Sequence, residues 1–173
     1  MADFEVVDLG PTGAPEPGDE VLEFTRPFVT AEFWEDRPLG SFAESERSDG
    51  RTILVFTPMI GSFVAEYVWT ELRDREWDAL DVPVLGISVA TPYAISAFLD
   101  EFDVPFGIFA DPANEIASAY GIAHDLDGMA GVSEPRLAFF ALEDGTVADA
   151  WIAREWPELP DYDDLEERFD LGG

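Results

Sequence analysis

Residues 52–72 read TILVFTPMIGSFVAEYVWTEL and contain the strongest local signals for the fold of this chain. Its first six residues form an apolar, β-branched run typical of a buried strand, and Pro58 ends that run. Ser62 has the side chain of a helix cap, and apolar residues then recur at helical spacing. These apolar residues are Val64, Tyr67, Val68, Leu72 and Trp77. The stretch therefore predicts a strand over Thr52–Thr57 and a helix over Phe63–Leu80.

Strands and helices continue to alternate downstream. The predicted elements are strand Val82–Val89, helix Tyr93–Phe102, strand Phe106–Ala110, helix Asn114–Tyr120, hairpin strands Arg136–Leu142 and Thr146–Ala153, and helix Asp163–Phe169. Alternation requires a parallel sheet with right-handed crossovers, and the hairpin adds an antiparallel edge. This order predicts an α/β thioredoxin fold with a central mixed sheet flanked by helices. A doubly wound nucleotide-binding fold is the alternative, but no Gly-x-Gly-x-x-Gly follows the first strand.

The length and composition indicate one domain over residues 1–173. The chain is 47% hydrophobic and 13% aromatic, which is enough for a substantial core. Residues 1–50 contain many Gly and Pro and predict an irregular N-terminal extension with short strands packed on the domain. These are a strand-like Phe4–Leu9 and one extended piece with a turn within residues 21–46. No apolar run suits a membrane span or a secretory signal, so we expect a cytoplasmic protein.

The charge is strongly unbalanced, with 38 acidic residues against 9 basic ones, all arginine, and a net charge of −29. Such a chain repels nucleic acid and anionic lipid, so neither partner is expected. The aromatic content argues against disorder. An acidic shell on a folded protein resembles the proteins of salt-accumulating haloarchaea. We therefore expect a halophilic protein whose stability depends on salt.

The chain has no cysteine, which excludes disulfides, thiol catalysis and thiolate metal sites. His124 is the single histidine and precedes Asp125 and Asp127. A weak metal or calcium site in this loop is the alternative to a solvated histidine, but the loop lacks the remaining ligands at EF-hand spacing. The sequence predicts no metal and no cofactor.

Residues 56–74 resemble the signature of the peroxiredoxins, the alkyl hydroperoxide reductase and thiol-specific antioxidant family. That signature is Phe-Phe-Pro-x-x-Phe-Thr-x-x-Cys-x-x-Glu. Pro58 matches its proline, Ser62 its threonine and Ala65 its peroxidatic cysteine, while Val68 stands at its glutamate. The resemblance covers about residues 50–150, and its further motifs are Gly86–Val89, Asp111–Pro112, Ala119–Gly121 and Pro135–Phe140.

The resemblance implies a vestigial active site made of Pro58, Ser62, Ala65 and Arg136. In the family, a cysteine thiolate in the first helical turn attacks peroxide, favoured by the helix dipole and an adjacent arginine. Arg136 matches that arginine, and the Ser62 hydroxyl matches the family's threonine. Alanine has no nucleophile, so the chain as given has no catalytic residue and no thiol peroxidase activity is expected.

Two functions are compatible with an alanine at the position of the family's cysteine. The first is a non-catalytic binding or regulatory module. The second is an antioxidant oxidoreductase, if Ala65 replaces a native cysteine by engineering or if a partner supplies the thiol. Natural loss of the cysteine is favoured, because Val68 and residues 59–61 also depart from the family pattern.

Arg136 has two interpretations. The favoured one is a structural ion pair with Glu66, since acids far outnumber arginines. The alternative is a pocket for a small anion, a carboxylate or phosphate, formed by Arg136, Ser62 and the free N–H groups at the helix start. We also expect Pro135 to be trans, because cis X-Pro bonds are rare in folded proteins.

Aromatic residues cluster near both ends of the chain. They are Phe28, Phe33 and Trp34 in the N-terminal part and Trp151 and Trp156 after the hairpin. Packing within the domain is the favoured interpretation, and a homodimer contact is the alternative.

Overall fold

The computed structural model describes residues 7–44, 49–124 and 132–171. The strands within these residues are β1 Val7–Asp8, β2 Thr25–Val29, β3 Trp34–Pro38, β4 Arg51–Phe56, β5 Val84–Ser88, β6 Gly107–Ala110, β7 Ala123–His124, β8 Glu134–Pro135, β9 Ala138–Glu143, β10 Thr146–Ile152 and β11 Glu155–Trp156. The α-helices are α1 Phe63–Asp74, α2 Pro92–Glu101, α3 Glu115–Ala119 and α4 Tyr162–Arg168, and two 3₁₀ turns are Leu39–Ser41 and Trp77–Ala79.

A mixed sheet of seven strands, counted within the described residues, runs in the order β10-β9-β4-β5-β6-β2-β3. β4, β5 and β6 are parallel, while β9 pairs antiparallel with β4 and β10 antiparallel with β9. This is the mixed sheet with flanking helices that the sequence predicted.

β4 is buried on both faces, which explains why its sequence is apolar without alternation. Ile53 and Val55 join a core cluster that includes residues of α1, α2 and α4. Leu54 and Phe56 join a second cluster, which includes Ile116 of α3. Cores on both faces place the end of β4, and the loop after it, in the interior of the domain.

α1 is shorter than predicted. It ends at Asp74, because Glu76 adopts a left-handed conformation with φ 58° and a 3₁₀ turn follows. Tyr67 is 54% exposed rather than part of the buried stripe, and Trp69 is fully buried in its place. The Trp69 indole ring packs against Gly86 of β5. Any Cβ at position 86 would overlap that ring.

The prediction of one extended piece within residues 21–46 was wrong. This region forms the hairpin β2–β3, and β2 joins the central sheet by pairing Phe28 with Phe109 and Val29 with Ile108 of β6. Pro27 is compatible with this because it lies beyond the two β2 residues that pair with β6. Of the predicted strand Phe4–Leu9, residues 4–6 lie outside the described residues, and Val7–Asp8 forms β1 paired with β11.

In the ranges 7–44, 49–124 and 132–171, no helix combines the length and the apolar character needed to cross a bilayer. The Glu134–Pro135 bond is trans as expected, whereas Trp156–Pro157 is cis.

Candidate functional site

The loop between β4 and α1 contains the residues that match the peroxiredoxin signature. Two buried side chains from other elements hold it. The Ser88 hydroxyl, at the end of β5, donates to the Pro58 carbonyl at 2.9 Å. The Met59 N–H donates to Oε1 of Glu134 in β8 at 2.9 Å. Ser88 and Glu134 are 0% and 1% exposed, so these bonds form out of water, where an unpaired partner would be costly.

Ser62 caps α1 as the sequence predicted. Its backbone is extended, and its Oγ accepts a hydrogen bond from the Ala65 N–H at 3.3 Å. The preceding Gly61 has φ 102°, a conformation that side chains disfavour, which explains a glycine at this position. The first turn of a helix leaves N–H groups without a backbone acceptor, and Ser62 supplies the acceptor for one of them.

Ala65 and Val68 lie on the buried side of α1, and both are 0% exposed. Val68 belongs to the same core cluster as Val64 and Leu72 of that helix. The positions that carry a thiol and a carboxylate in the peroxiredoxin signature are therefore filled here by apolar core side chains.

Arg136 lies between β8 and β9 and is 5% exposed. Its guanidinium donates to the carbonyls of Leu9 and Gly10, the latter at 2.8 Å, and makes a longer contact of 3.5 Å with the carbonyl of Ala153. Its Nε is buried and has no hydrogen-bond partner among the described residues. Burial lowers the pKa of the Arg136 guanidinium, and the charge of Asp8 acts in the opposite direction.

The predicted ion pair between Arg136 and Glu66 does not form; within the described residues, Arg136 has no carboxylate at ion-pair distance. No hydrogen bond joins Arg136 to Ser62 in that part of the chain either. Backbone carbonyls of the N-terminal segment take the place of the expected carboxylate. The anion site at Ser62 and Arg136 therefore stays a prediction.

A cleft of about 660 Å³ lies beside Arg136, between the N-terminal segment and β10. Its lining residues are Asp8, Gly10, Pro11, Thr12, Ala14, Pro15, Glu16, Pro17, Arg136, Ala150, Ile152, Ala153 and Arg154. We call it the arginine cleft. Arg154 could not be recognised as a site residue from the sequence, because only the fold brings residues 8–17 against β10.

A smaller hollow of about 470 Å³ separates the loop after β4 from α2. Ile60, Gly61 and Phe98 line it together with the acids Glu66 and Glu101. Its acidic side chains make it a poor site for an anion.

No cluster of three or more metal-ligating side chains occurs among the residues that the structure describes. Asp125 and Asp127 of the alternative metal loop lie outside those residues. His124 is partly buried in β7, and its Nε2 lies 3.4 Å from the Leu9 carbonyl. The absence of a metal and of a cofactor stays a prediction.

The aromatic residues divide into a buried and an exposed group. Phe28 is buried against Phe42 and Phe109, and Trp156 packs on Phe63. Phe33 and Trp34 are 60% and 36% exposed, and Trp34 contacts Tyr93, which is 75% exposed. Phe33, Trp34 and Tyr93 are together called the exposed aromatic patch. Packing within the domain accounts for Phe28 and Trp156 but not for this patch.

Comparison with known proteins identifies the fold and the family. The model of the AhpC/TSA family matches residues 17–150, more than three quarters of the chain. The chain belongs to the AhpC/TSA family. YkuU of Bacillus subtilis (strain 168), whose name assigns it to the peroxiredoxins, is 28% identical over 99 residues, or 52% of this chain and 55% of that protein. The chain thus spans about half the length of the curated relative it matches.

Solved structures show the same fold. AhpC of Enterococcus faecalis superposes with a TM-score of 0.74 over 90% of this chain and 91% of that one, at 15% identity. A peroxiredoxin-like protein from Aquifex aeolicus superposes with a TM-score of 0.70 over 95% and 91%, at 20% identity. The chain is thus an AhpC/TSA protein with a thioredoxin-like peroxiredoxin fold and no cysteine.

Proposed function

We propose that this AhpC/TSA protein is a non-catalytic binding or regulatory module. The observation that carries the proposal is the site itself: Ala65 stands at the cysteine position, is fully buried, and no other cysteine exists in the chain. A peroxiredoxin reaction begins with a thiolate, and alanine cannot enter the thiol oxidation ladder. The fold is kept and its nucleophile is lacking.

A peroxide-consumption assay tests the proposal. The purified chain, with a small dithiol as reductant, is expected to consume hydrogen peroxide no faster than the dithiol alone. A cysteine-containing peroxiredoxin serves as the positive control. Catalytic turnover by the purified chain would overturn the proposal.

An antioxidant oxidoreductase is the second candidate. It is supported by the intact helix start, where Ser62 still caps α1 at the position of the family's threonine. It requires a cysteine at position 65 of the natural gene, or a thiol from a partner. Sequencing codon 65 of the source gene tests whether the natural protein has this cysteine. A cysteine codon would favour the enzyme, and an alanine codon would favour the binding module.

A small anion at the vestigial site, held by Ser62 and Arg136, is part of the proposal. It is supported by the charge of Arg136, which has no carboxylate at ion-pair distance among the described residues, and by the positive end of the α1 dipole. Titration calorimetry with sulfate tests it. Ser62→Ala is expected to weaken the binding, and equal heats for both proteins would remove Ser62 from the site.

We further propose a homodimer formed through the exposed aromatic patch of Phe33, Trp34 and Tyr93. Large apolar side chains that stay exposed near one another are typical of interaction surfaces. Light scattering in molar KCl is expected to give twice the mass of one chain. A monomer mass over the whole accessible concentration range would contradict the dimer.

Salt-dependent stability completes the proposal. At a net charge of −29 the folded chain repels itself, and about 1 M salt shortens the screening length to about 3 Å. The melting temperature is therefore expected to rise from low salt to molar KCl, and a flat profile would contradict a halophilic protein. A cytoplasm rich in KCl is the location that fits this behaviour.

A further inference from the structure

The arginine cleft combines a ligand-sized volume with two cationic side chains. Its volume of about 660 Å³ lies within the range of about 300–1,000 Å³ that is usual for small-molecule sites. Eight of its thirteen lining residues are Gly, Ala, Pro or Ile. Arg136 lies at the inner side of the wall, where it is 5% exposed, and Arg154 is exposed at the surface.

Among the described residues, the charge of Arg136 has no direct counter-ion. Buried charges in proteins are normally paired with an opposite charge. Arg136 instead donates to backbone carbonyls, which carry only partial charges, and its buried Nε–H has no acceptor in the described part of the chain. Asp8 attracts the guanidinium but forms no ion pair with it there, and Asp8 Oδ1 already accepts from the Gly10 N–H. The described residues therefore leave the Arg136 charge without a neutralising partner.

Arg154 also has no ion pair in the part of the chain that the structure describes. Its backbone N–H donates to Glu158 Oε1 at 2.7 Å. In a chain with 38 acidic residues, the cleft is lined by two arginines that have no carboxylate at ion-pair distance among the described residues. This pairing distinguishes the cleft from the acidic hollow beside α2.

We propose that the arginine cleft binds a small organic monocarboxylate. The carboxylate pairs with the exposed guanidinium of Arg154 and brings a counter-charge close to Arg136, and the apolar body of the ligand packs on residues such as Pro15 and Ile152. Guanidinium groups match carboxylates in planar, charge-assisted hydrogen bonds. Asp8 and Glu16 also line the cleft, and their charges disfavour dianions such as phosphate.

This inference goes beyond the proposed function. Most of the cleft wall comes from residues 8–17 and from Ala153 and Arg154, which lie at or outside the ends of the family match over residues 17–150. Ser62 does not line the cleft, although Arg136 belongs to both candidate sites. The proposed carboxylate site can therefore be wrong while the non-catalytic function is right. The non-catalytic function can equally be wrong while the carboxylate site is right.

Nuclear magnetic resonance on the isotope-labelled chain tests the cleft directly. Propanoate is titrated in KCl at fixed ionic strength, with neutral propanamide as the matched probe. Propanoate is expected to shift the Arg136 Nε–H resonance and the amide resonances of Gly10 and Ala14 in a saturable way. Propanamide is expected to leave them in place. Equal shifts with both probes, or none with either, would overturn the proposal.

Two variants locate the bound charge. Arg154→Gln is expected to weaken propanoate binding about three- to tenfold, the loss of one partly exposed charge-assisted contact. Arg73→Gln removes the same charge from α1, away from the cleft, and Ser62→Ala removes the vestigial hydroxyl; both are expected to bind propanoate like the parent chain. If Arg73→Gln weakened propanoate binding as much as Arg154→Gln, the loss would reflect the net charge of the protein and not a contact in the cleft. Weakening by Ser62→Ala would place the anion at the start of α1 instead.

Discussion

The start of α1 and the arginine cleft differ in how they use their polar groups. At the start of α1 the loop is held by Ser88 and Glu134, the Ser62 hydroxyl is engaged with the Ala65 N–H, and Ala65 is fully buried. In the cleft, neither Arg136 nor Arg154 has a carboxylate at ion-pair distance among the described residues. The place that matches a family's chemistry can thus be closed, while a surface without such a match keeps charges that no group of the described chain neutralises.

Restoring the family's glutamate is expected to have the largest effect. Val68→Glu puts a carboxylate into a fully buried core position without a counter-charge. An uncompensated buried charge typically destabilises a protein by about 3–5 kcal/mol. Urea unfolding measures the change in free energy of unfolding.

Tyr67→Glu is the matched control, because it adds the same charge one residue away at a side chain that is 54% exposed. It is expected to change stability far less. If Val68→Glu were as well tolerated as Tyr67→Glu, the start of α1 would still have room for the family's carboxylate, and the contrast with the cleft would fail.

Removing the buried carboxylate of Glu134 is expected to have an intermediate effect. Glu134→Ala leaves the Met59 N–H without its acceptor, and a buried orphaned donor costs about 1–3 kcal/mol. Hydrogen exchange at the Met59 amide is expected to accelerate. Glu134→Gln keeps a carbonyl acceptor and is expected to retain most of the protection; unchanged exchange in Glu134→Ala would show that the loop is held by other contacts.

Removing the cap of α1 is expected to have the smallest effect. Ser62→Ala is expected to cost about 1 kcal/mol, the usual value of a side-chain cap. Thr91→Ala, which removes the corresponding cap of α2, is expected to cost a similar amount. Ser62→Asp keeps a cap oxygen and is expected to retain stability. A neutral Ser62→Ala would show that the cap bond contributes nothing to stability.

Much of the fold follows from local pattern. The run TILVFT was predicted as a buried strand and forms β4, because burial on both faces requires a continuous apolar sequence. The start of α1 was predicted from Ser62, because capping depends on a side chain and an N–H three residues later. The hairpin β2–β3 was missed because Pro27 argues against a strand, and it is allowed only by the way β2 meets β6.

The partners of the site residues could not be predicted. Arg136 donates to the Gly10 carbonyl 126 positions away, and a backbone carbonyl has no sequence signature. Glu134 is one of 38 acids, most of which suit a solvated surface, so its buried bond to Met59 was not visible in the composition. The arginine cleft forms only when residues 8–17 fold against β10.

The start of α1 is closed, and not merely short of one sulfur atom. The most direct test is the rate at which Ala65→Cys reacts with hydrogen peroxide at neutral pH. A thiol there would be buried, beside Val68 and without a hydrogen bond or ion pair from Arg136, and burial in apolar surroundings raises a thiol pKa. We expect a rate no faster than that of free cysteine. A rate typical of a working peroxiredoxin would show that the start of α1 is still an open active site.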